Sequence, residues 1–387
     1  MSDVRLRVLN NLKFCSRCLL PETHETIVFD DQGVCNVCRQ VEYKQSRIDW
    51  ASKRKEFEEL LNQYRGKYSY DCIVPFSGGK DSTWTLYALV RQFGLKPLVV
   101  SFDHGFFRPG TLANNERTIK LLGVDFLKFR PKWQIVRKLM LETLRRKGDF
   151  CWHCHTGCFA YPMQIAVKFR VPLVIWGEPS AEYTSYYSYE DKEEVDERRF
   201  NRFINLGITA EDMVGMLDGS VTLRDLEPFI YPNVKELMAL NCRSVCLGSY
   251  FPWDVKAQVE IIKKELGWEE DDVEGVPKDY RYEKVECAMQ GVRDYLKFIK
   301  RGFGRTTHLV SIDLRNNRLS REEAIRLVEE HDGKRPASLD VFLEYIGLSE
   351  EEFMEIALQH VVSPRVYDPT AVLRGEKLGD QDQWDRS

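Results

Sequence analysis

The chain has 387 residues, of which 43% are hydrophobic and 30% are charged, as in ordinary soluble proteins. Its 60 acidic and 56 basic residues give a net charge of −4, which argues against a protein that coats nucleic acid over its whole surface. The N-terminus lacks an apolar signal core and no window approaches a membrane span, so we expect a cytoplasmic protein without membrane insertion. Disulfides are rare in the cytoplasm, so the 11 cysteines indicate metal ligands or free thiols rather than disulfides.

The chain divides into three regions by composition. Residues 1–45 carry four cysteines in a polar segment that is too short to build a core alone. Residues 46–270 alternate apolar runs with helical patterns, and residues 271–387 are mainly helical with a polar tail. Ser320 and Ser349 each precede a glutamate by three residues, which is the spacing of a capping box at the start of a helix.

The middle region predicts an α/β fold with a doubly wound parallel sheet. Its strands are continuous apolar runs separated by helical segments, as in parallel sheets that are covered on both faces. Gly94 stands where the helix after the first strand would take a C-terminal cap. The four predicted strands are "YDCIVPF", "KPLVVSFD", "VDFLKF" and "VPLVIWG".

The stretch "VPFSGGKDST", residues 74–83, joins the first of these strands to the helix that follows it. Open parallel sheets bind ligands at this edge, and adjacent glycines let an anion approach the amides at the start of a helix. A lysine adds positive charge, whereas the aspartate after it would repel phosphate unless a cation such as Mg²⁺ lay between them. The spacing differs from that of a Walker A loop. The predicted ATP-binding residues of this loop are Ser77, Gly78, Gly79, Lys80, Asp81, Ser82 and Thr83.

The hexapeptide at 77–82 resembles the pyrophosphate loop (PP-loop) of the ATP pyrophosphatases, which include the NAD and GMP synthetases and the tRNA thiolases. The resemblance implies that ATP is cut between its α and β phosphates and that AMP passes to a carbonyl oxygen. It also implies that Asp103, at the end of the second strand, binds the adenosine of ATP. The segment "WGEPSAEY" would supply a carboxylate that shares Mg²⁺ with the loop aspartate. The predicted catalytic residues are Lys80, Asp81, Glu178 and Glu182, with Asp81 and Glu182 as Mg²⁺ ligands.

Two cysteine pairs near the N-terminus have the spacing C-x2-C, sixteen residues, C-x2-C. Two such knuckles can close a tetrahedral thiolate site around Zn²⁺. Four thiolates leave no open position for a substrate, so we expect a structural zinc that folds this segment. No basic and aromatic stripe surrounds the knuckles, which argues against a nucleic-acid finger. The predicted ligands are Cys15, Cys18, Cys35 and Cys38.

A second cysteine group, "CWHCHTGC", precedes the helix that leads into the fourth strand, where tRNA thiolases carry a C-x2-C. Three interpretations of Cys151, Cys154 and Cys158 remain open. The thiols are inert or shape the substrate pocket; they bind an iron–sulfur cluster with Cys242 or Cys246 as a further ligand, or a second metal with His153 or His155; or they relay sulfur. An iron–sulfur cluster is the less favoured alternative.

The chain as a whole resembles the bacterial N-acetyl sugar amidotransferases of surface-polysaccharide biosynthesis. The likeness begins with "CSRCLLPETHETIVFDDQGVCNVC" and continues through "PFSGGKDST", "WGEPSAEY", "LGSYFPWD", "YLKFIKRGFGRTTHLVSIDLR" and "LSREEAIRLVEEHDG". It implies that ATP adenylates the acetamido carbonyl of an N-acetylated, nucleotide-linked sugar and that ammonia then displaces AMP to give an acetamidino group. The chain has no glutaminase motif. The family obtains ammonia from a separate glutaminase and a barrel subunit that resemble those of histidine biosynthesis.

The segment "KFIKRGFGR" concentrates basic residues around two glycines. It is either a solvated basic face or a clamp for the diphosphate or carboxylate of the sugar, formed by Lys300, Arg301 and Arg305. The rival function is tRNA thiolation, which uses the same ATP chemistry with a cluster at Cys151 and Cys154. The lack of an RNA-binding appendage argues against it. A zinc-dependent interaction module with a degenerate ATPase conflicts with the intact loop.

Overall fold

The computed structural model describes residues 11–178, 200–217 and 219–367. The centre of this part of the chain is a parallel sheet with five strands, β1 (Cys72–Pro75), β2 (Pro97–Phe102), β3 (Asp125–Phe129), β4 (Leu173–Trp176) and β5 (Arg243–Cys246). The strands lie in the order β3-β2-β1-β4-β5. The winding direction reverses between β1 and β4, so the crevice beyond their carboxyl ends is the switch point at which such sheets bind ligands.

Helices cover the sheet and build the C-terminal region. The α-helices of the described residues are α1 (Asn36–Arg47), α2 (Trp50–Asn62), α3 (Lys80–Tyr87), α4 (Pro109–Leu122), α5 (Trp133–Lys147), α6 (Trp152–Phe169), α7 (Ala210–Met216), α8 (Val234–Leu240), α9 (Val255–Leu266), α10 (Gln290–Arg301), α11 (Arg305–Arg315), α12 (Arg321–His331), α13 (Ser338–Ile346) and α14 (Glu350–Gln359). A π-helical turn, Ala88–Gln92, continues α3, and Gly94 follows it with a φ of +63°.

Both faces of the sheet are buried, which confirms the predicted parallel α/β fold. On β1, Cys72 and Val74 pack into one apolar cluster with α2 and α9, whereas Ile73 packs into a second cluster with α6. Successive residues of a strand point to opposite faces, so a strand covered on both sides must be apolar at every position. Among the described helices, none is long and apolar enough to cross a membrane.

Two features of the middle region differ from the sequence analysis. The fifth strand, β5, was not predicted, because "RSVC" is short and begins with two polar residues. The cysteines of "CWHCHTGC" do not precede a helix: Cys151 is the N-cap of α6, and Cys154 and Cys158 lie inside its first turns. Pro162 lies within α6, although proline usually breaks a helix, and the burial of this helix against the sheet offsets that cost.

The C-terminal helices form a cluster with α5. Met140 and Leu144 of α5 pack against Ile299 of α10, Phe342 of α13 and Phe353 of α14. The expected helix starts are confirmed, because the hydroxyls of Ser320 and Ser349 accept hydrogen bonds from the amides of Glu323 and Glu352. The segment before α10 also contributes Val273 and Tyr282 to the cluster beneath the sheet. The division at residue 270 stays a prediction.

The N-terminal segment docks on this helical region rather than on the sheet. Leu12, Phe14 and Leu19 pack with Val310 of α11 and Ile325 of α12. The Arg321 side chain of α12 donates a 2.8 Å hydrogen bond to the carbonyl of Ser16. The four-cysteine segment is therefore fixed against the C-terminal helices.

The packing of α14 gives a direct test of the C-terminal cluster. Phe353 has 0% of its surface exposed, whereas Leu358 on the same helix is 45% exposed. We expect Phe353→Ala to lower the free energy of unfolding by about 3–5 kcal/mol, because it leaves a cavity. The matched variant Leu358→Ala should change it by less than about 1 kcal/mol. Urea unfolding measures both, and equal effects would contradict this packing.

Candidate active site and metal centre

The predicted phosphate loop joins β1 to α3 at the switch point. The hydroxyl of Ser82 accepts hydrogen bonds from the amides of Ser77, at 3.2 Å, and Gly78, at 3.1 Å. Gly79 is the N-cap of α3 and supplies no side chain to cap the first amides of the helix. Uncapped amides at a helix N-terminus, together with the helix dipole, favour an anion. Thr83 is fully buried below the loop and lines neither of the cavities described below.

Close approaches explain both glycines of the loop. Gly78 has a φ of +83°, and a Cβ at this position would lie 1.7 Å from Oδ1 of Asn115 on α4. A Cβ at Gly79 would lie 2.7 Å from Oε2 of Glu286. The indole of Trp268 donates a 3.0 Å hydrogen bond to the Gly78 carbonyl and so fixes the turn. No larger residue fits either position without displacing these neighbours.

Lys80 is buried beneath the loop, where its ammonium contacts two carboxylates. Nζ lies 2.8 Å from Oδ2 of Asp81 and 2.7 Å from Oε2 of Glu283. Burial disfavours the charge of Lys80, but the carboxylates of Asp81, Glu283 and Glu178 outweigh it and raise the pKa of Lys80 well above its ordinary value. Burial likewise opposes the charge of Glu283, yet Lys80, Lys284 and Arg305 lower the pKa of this carboxyl group to about 2.

Asp81 and Glu178 are two carboxylates of this site that repel each other. Oδ1 of Asp81 is buried and has no hydrogen-bond partner within the described part of the chain. Burial, and then the charge of Asp81, raise the pKa of Glu178 well above its ordinary value. A hard divalent cation between the two carboxylates would satisfy the orphaned oxygen and relieve their repulsion, so these residues fit Mg²⁺. The other predicted ligand, Glu182, lies outside the described residues.

Two cavities meet at this point. The strand-end cavity, about 310 Å³, lies at the carboxyl ends of β1, β2 and β4, and Ser77, Asp81 and Ser82 are in its lining. The helical-wall cavity, about 260 Å³, lies between the segment before α9 and helix α11, and Lys80 is in its lining. The residues common to both linings are Glu178, Lys284 and Arg293.

Sequence reasoning missed the residues that the C-terminal region adds to this site. Glu283, Lys284 and Arg293 follow no motif, and they come together with the loop only because the segment before α10 packs under the sheet. One signal was available, since "YEKVEC" places charges on either side of Val285, which is 1% exposed. Lys284 also has a φ of +54°, a conformation that is uncommon outside glycine and typical of functional sites.

Asp103 lies at the end of β2, as predicted, and protein groups already contact both of its oxygens. The Gly105 amide donates to Oδ1 at 2.9 Å, while Arg130 and Lys128 lie 2.6 and 3.1 Å from Oδ2. Burial opposes the charge of Asp103, but these donors lower its pKa. Adenosine binding by Asp103 stays a prediction.

Cys151, Cys154 and Cys158 line the strand-end cavity, together with Cys246 and Cys287. A hydrogen bond with Cys158, followed by burial, raises the pKa of Cys154 well above its ordinary value, and burial does the same for Cys151. Protonated thiols are poor nucleophiles. Burial also lowers the pKa of His153 and His155 to about 3. Within the described residues these thiols do not form a group of three ligand atoms, which favours the interpretation in which they shape the pocket.

The basic segment lines a third cavity of about 130 Å³ at α10, and most of its cations already have protein partners. Lys300 donates to the carbonyl of Gly148 at 2.5 Å. Arg301 donates to the carbonyl of Thr23 at 2.6 Å, and Arg305 pairs with Asp294 at 3.2 Å. A clamp formed by these three residues stays a prediction.

The four N-terminal cysteines form a metal centre. Within the described ranges they are the one group in which three or more ligand atoms lie within 4.8 Å of one another, and all four are buried. Amides of Cys35 and Cys38 donate to the sulfurs of Cys15 and Cys35, at 3.2 and 3.4 Å. Four thiolates could share this space only with a cation, so the group fits a metal such as zinc or iron.

These features define the class of protein: an α/β protein with a phosphate-type glycine loop at the switch point of a parallel sheet. Residues 274–377 match the family model described as "LPS biosynthesis protein WbpG-like, C-terminal domain". This matched segment contributes Glu283, Lys284 and Arg293 to the site.

Curated relatives match parts of the chain. An uncharacterised protein of Methanocaldococcus jannaschii, MJ1599, is 31% identical over 143 residues, which are 36% of this chain and 50% of the relative. A glutamine-hydrolysing GMP synthase of Pyrobaculum aerophilum is 33% identical over 82 residues, 21% of this chain and 16% of the relative. The chain thus spans half the length, or less, of these relatives.

Two solved structures show distant likeness. An NMN synthetase of Francisella tularensis is 13% identical with a TM-score of 0.34, covering 72% of this chain and 96% of its own. The U34-tRNA thiolase NcsA of Methanococcus maripaludis, with its [4Fe-4S] cluster, is 12% identical with a TM-score of 0.26, covering 84% of this chain and 89% of its own. These TM-scores are too low to choose between functions.

The close approach at Gly78 predicts a strong effect of a single methyl group. Gly78→Ala should abolish ATP binding, because the new Cβ would strike Asn115 at the base of the loop. Gly123→Ala is the matched control, since Gly123 also has a positive φ, +64°, but a Cβ added there would have no atom within 4 Å. It should lose only about 1 kcal/mol of stability and keep ATP affinity. Calorimetric titration measures the affinity of both variants for ATP. Unchanged binding in Gly78→Ala would contradict the loop geometry.

The metal centre predicts a loss of both metal and stability in Cys35→Ser. Metal analysis of the purified wild type should give about one ion per chain, with zinc and iron both measured, because four thiolates hold one ion. Cys35→Ser should lose this ion and melt at a lower temperature. Cys242→Ser, at a half-buried position outside the centre, should retain it. Normal stability of Cys35→Ser without metal would contradict a structural role.

Proposed function

We propose that the protein is an ATP-dependent, AMP-forming amidotransferase that converts the acetamido group of an N-acetylated sugar into an acetamidino group, for surface-polysaccharide biosynthesis such as that of the LPS O-antigen. The observation that carries the proposal is the shared site. A phosphate loop and a domain of the LPS biosynthesis type meet at the buried Lys80–Glu283 ion pair, 2.7 Å long. The predicted ATP site and the segment that matches the LPS biosynthesis model thus face the same space.

The chemistry requires activation of a poor electrophile. Nitrogen donation stabilises the amide carbonyl, so ammonia does not displace its oxygen directly. In the proposed first step the carbonyl oxygen bonds to the α-phosphorus of ATP, and the bond to the departing pyrophosphate breaks. Ammonia then adds to the carbon, AMP leaves with the former amide oxygen, and loss of a proton gives the amidine. ATP cleavage drives the exchange.

The residues at the switch point would each serve one part of this reaction. The loop amides and Lys80 would stabilise the charge that develops on the phosphates, an electrostatic effect of the kind that dominates catalysis. Asp81 and Glu178 would hold Mg²⁺, which neutralises phosphate charge when it is bound. The apolar lining around Phe102 and Trp176 in the strand-end cavity suits the adenosine of ATP.

Ammonia would come from partner proteins. No glutaminase elbow occurs in the sequence. We therefore propose a separate glutaminase and a barrel subunit, like those of histidine biosynthesis, as the ammonia source. The GMP synthase relative is described as glutamine-hydrolysing, and this chain covers only 16% of it.

One observation favours tRNA thiolation as a second candidate, namely the cysteines Cys151, Cys154 and Cys158 beside the phosphate loop. Against it stands the fact that, within the described residues, these thiols do not assemble into a group of three ligand atoms. Anaerobic reconstitution with iron and sulfide tests this alternative, because a cluster would give a visible absorption band that Cys154→Ser removes.

Product analysis tests the main proposal. Purified protein with ATP, Mg²⁺, an ammonium salt and N-acetylated nucleotide sugars should release AMP and pyrophosphate only when the acceptor is present. Mass spectrometry should show NH in place of the acetamido oxygen. Lys80→Ala should lower turnover about 10²–10³-fold with a smaller loss of ATP affinity, whereas Lys120→Ala, at an exposed position of α4, should behave as wild type. Release of ADP and phosphate instead would overturn the proposal.

A further inference from the structure

The two cavities at the site differ in what surrounds them. The strand-end cavity contains the loop hydroxyls and the carboxyl ends of the strands, which is where a parallel sheet binds a nucleotide. The helical-wall cavity is instead lined largely by the C-terminal domain, from Tyr280 to Arg318. Two substrates that react with each other must meet where the cavities join, at Glu178, Lys284 and Arg293.

The helical-wall cavity has the side chains that proteins use for sugars. Trp253, Tyr280 and Tyr282 lie in its lining and offer aromatic surface. Trp253 is only 7% exposed, and its indole N–H is buried without an acceptor among the described residues. An oxygen of a sugar ligand would supply the missing acceptor. Burial, followed by the charge of Arg305, lowers the pKa of His308 well below its ordinary value, so its neutral imidazole adds no charge to this wall.

Basic side chains outnumber carboxylates in the lining of this cavity, and one of them, Arg293, differs from the others in its lack of an ion-pair partner among the described side chains. Six basic side chains and four carboxylates are in its lining. Lys256 and Arg318 pair with Asp313 and Asp254, at 2.6 and 2.7 Å. Arg293, by contrast, makes no hydrogen bond or ion pair with any described side chain, although Asp149 and Asp294 lie close enough to act on its charge. An unpaired guanidinium beside a cavity is suited to a bidentate contact with phosphate or carboxylate.

We propose that the helical-wall cavity is the acceptor subsite, that it takes an N-acetylated sugar bearing an anionic group, and that Arg293 binds this anion. The assignment rests on the proposed function and names its substrate site. A volume of about 260 Å³ lies just below the usual range of ligand pockets, from about 300 Å³ upwards, so it suits a sugar ring with one charged substituent rather than a complete nucleotide sugar. The anion is the phosphate next to the sugar or a sugar carboxylate.

The position of Arg293 allows it to bind the anion of the acceptor, whereas the cations of the basic segment lie elsewhere. Lys300 and Arg301 lie in the third cavity, away from Lys80, and donate to backbone carbonyls of the protein. Arg293 is the basic residue whose side chain lines this cavity and both of the others. It therefore adjoins the site of chemistry, where the two cavities join.

The experiment compares Arg293→Gln with wild type on four ligands: an N-acetylated hexosamine, its 1-phosphate, its nucleoside-diphosphate form and the corresponding N-acetylated uronic acid. Calorimetry measures binding of each without ATP, so it does not depend on turnover. Arg293→Gln should weaken the anionic ligands roughly 10- to 100-fold, as expected for charge-assisted hydrogen bonds, and leave the neutral sugar unchanged. Which anionic ligand loses most identifies phosphate or carboxylate. Arg326→Gln, with a side chain 72% exposed on α12, is the matched control.

Kinetics supply the second readout. In Arg293→Gln the KM for the acceptor should rise while the KM for ATP changes less than about threefold. Trp253→Phe keeps the ring but removes the N–H, and it should weaken the acceptor about fivefold, again without affecting ATP. Equal losses for ATP and acceptor, or anionic ligands that bind wild type and Arg293→Gln alike, would overturn the assignment. So would a wild type that binds none of the four. Acceptor binding without AMP release would instead contradict the proposed function and leave the subsite standing.

Discussion

The ion pair between Lys80 and Glu283 joins the two halves of the candidate site. Its 2.7 Å contact is almost completely buried, with 7% and 6% of the two side chains exposed. Removing one partner of such a pair typically costs about 3–5 kcal/mol, because the other charge is left buried alone. The pair also fixes the segment that carries Lys284 and leads to Arg293. The phosphate loop and the C-terminal domain are thereby held in one geometry.

The same pair sets the electrostatics around the loop. Lys80 already contacts Asp81 and Glu283, and at Glu178 burial and the charge of Asp81 outweigh the charges of Lys80 and Lys284, so the pKa of this carboxyl group is raised. A bound divalent cation would neutralise the carboxylates of Asp81 and Glu178. An acceptor anion would meet the excess of positive charge in the helical-wall cavity. The four-cysteine segment supports this site indirectly. It packs on α11, and this helix begins with Arg305, which pairs with Glu283.

Local patterns in the sequence determined the parts of the protein that depend on near neighbours. Continuous apolar strands predicted the parallel sheet, because a strand buried on both faces is apolar at each position. Two adjacent glycines before a helix predicted an anion loop, and the structure gives their reason in Asn115 and Glu286. The spacing of Cys15, Cys18, Cys35 and Cys38 predicted a metal centre, since knuckles are local turns.

The tertiary structure alone decided which distant residues meet the loop. Glu283, Lys284 and Arg293 lie some two hundred residues after Lys80, and they reach it through packing between the helical region and the sheet, which no local period encodes. The continuation of α6 through Pro162 was also a tertiary outcome, because contacts with the sheet hold a helix that this proline would otherwise weaken. The sequence thus determined the phosphate loop, the sheet and the cysteine cluster. Long-range packing decided that Glu283, Lys284 and Arg293 face the loop.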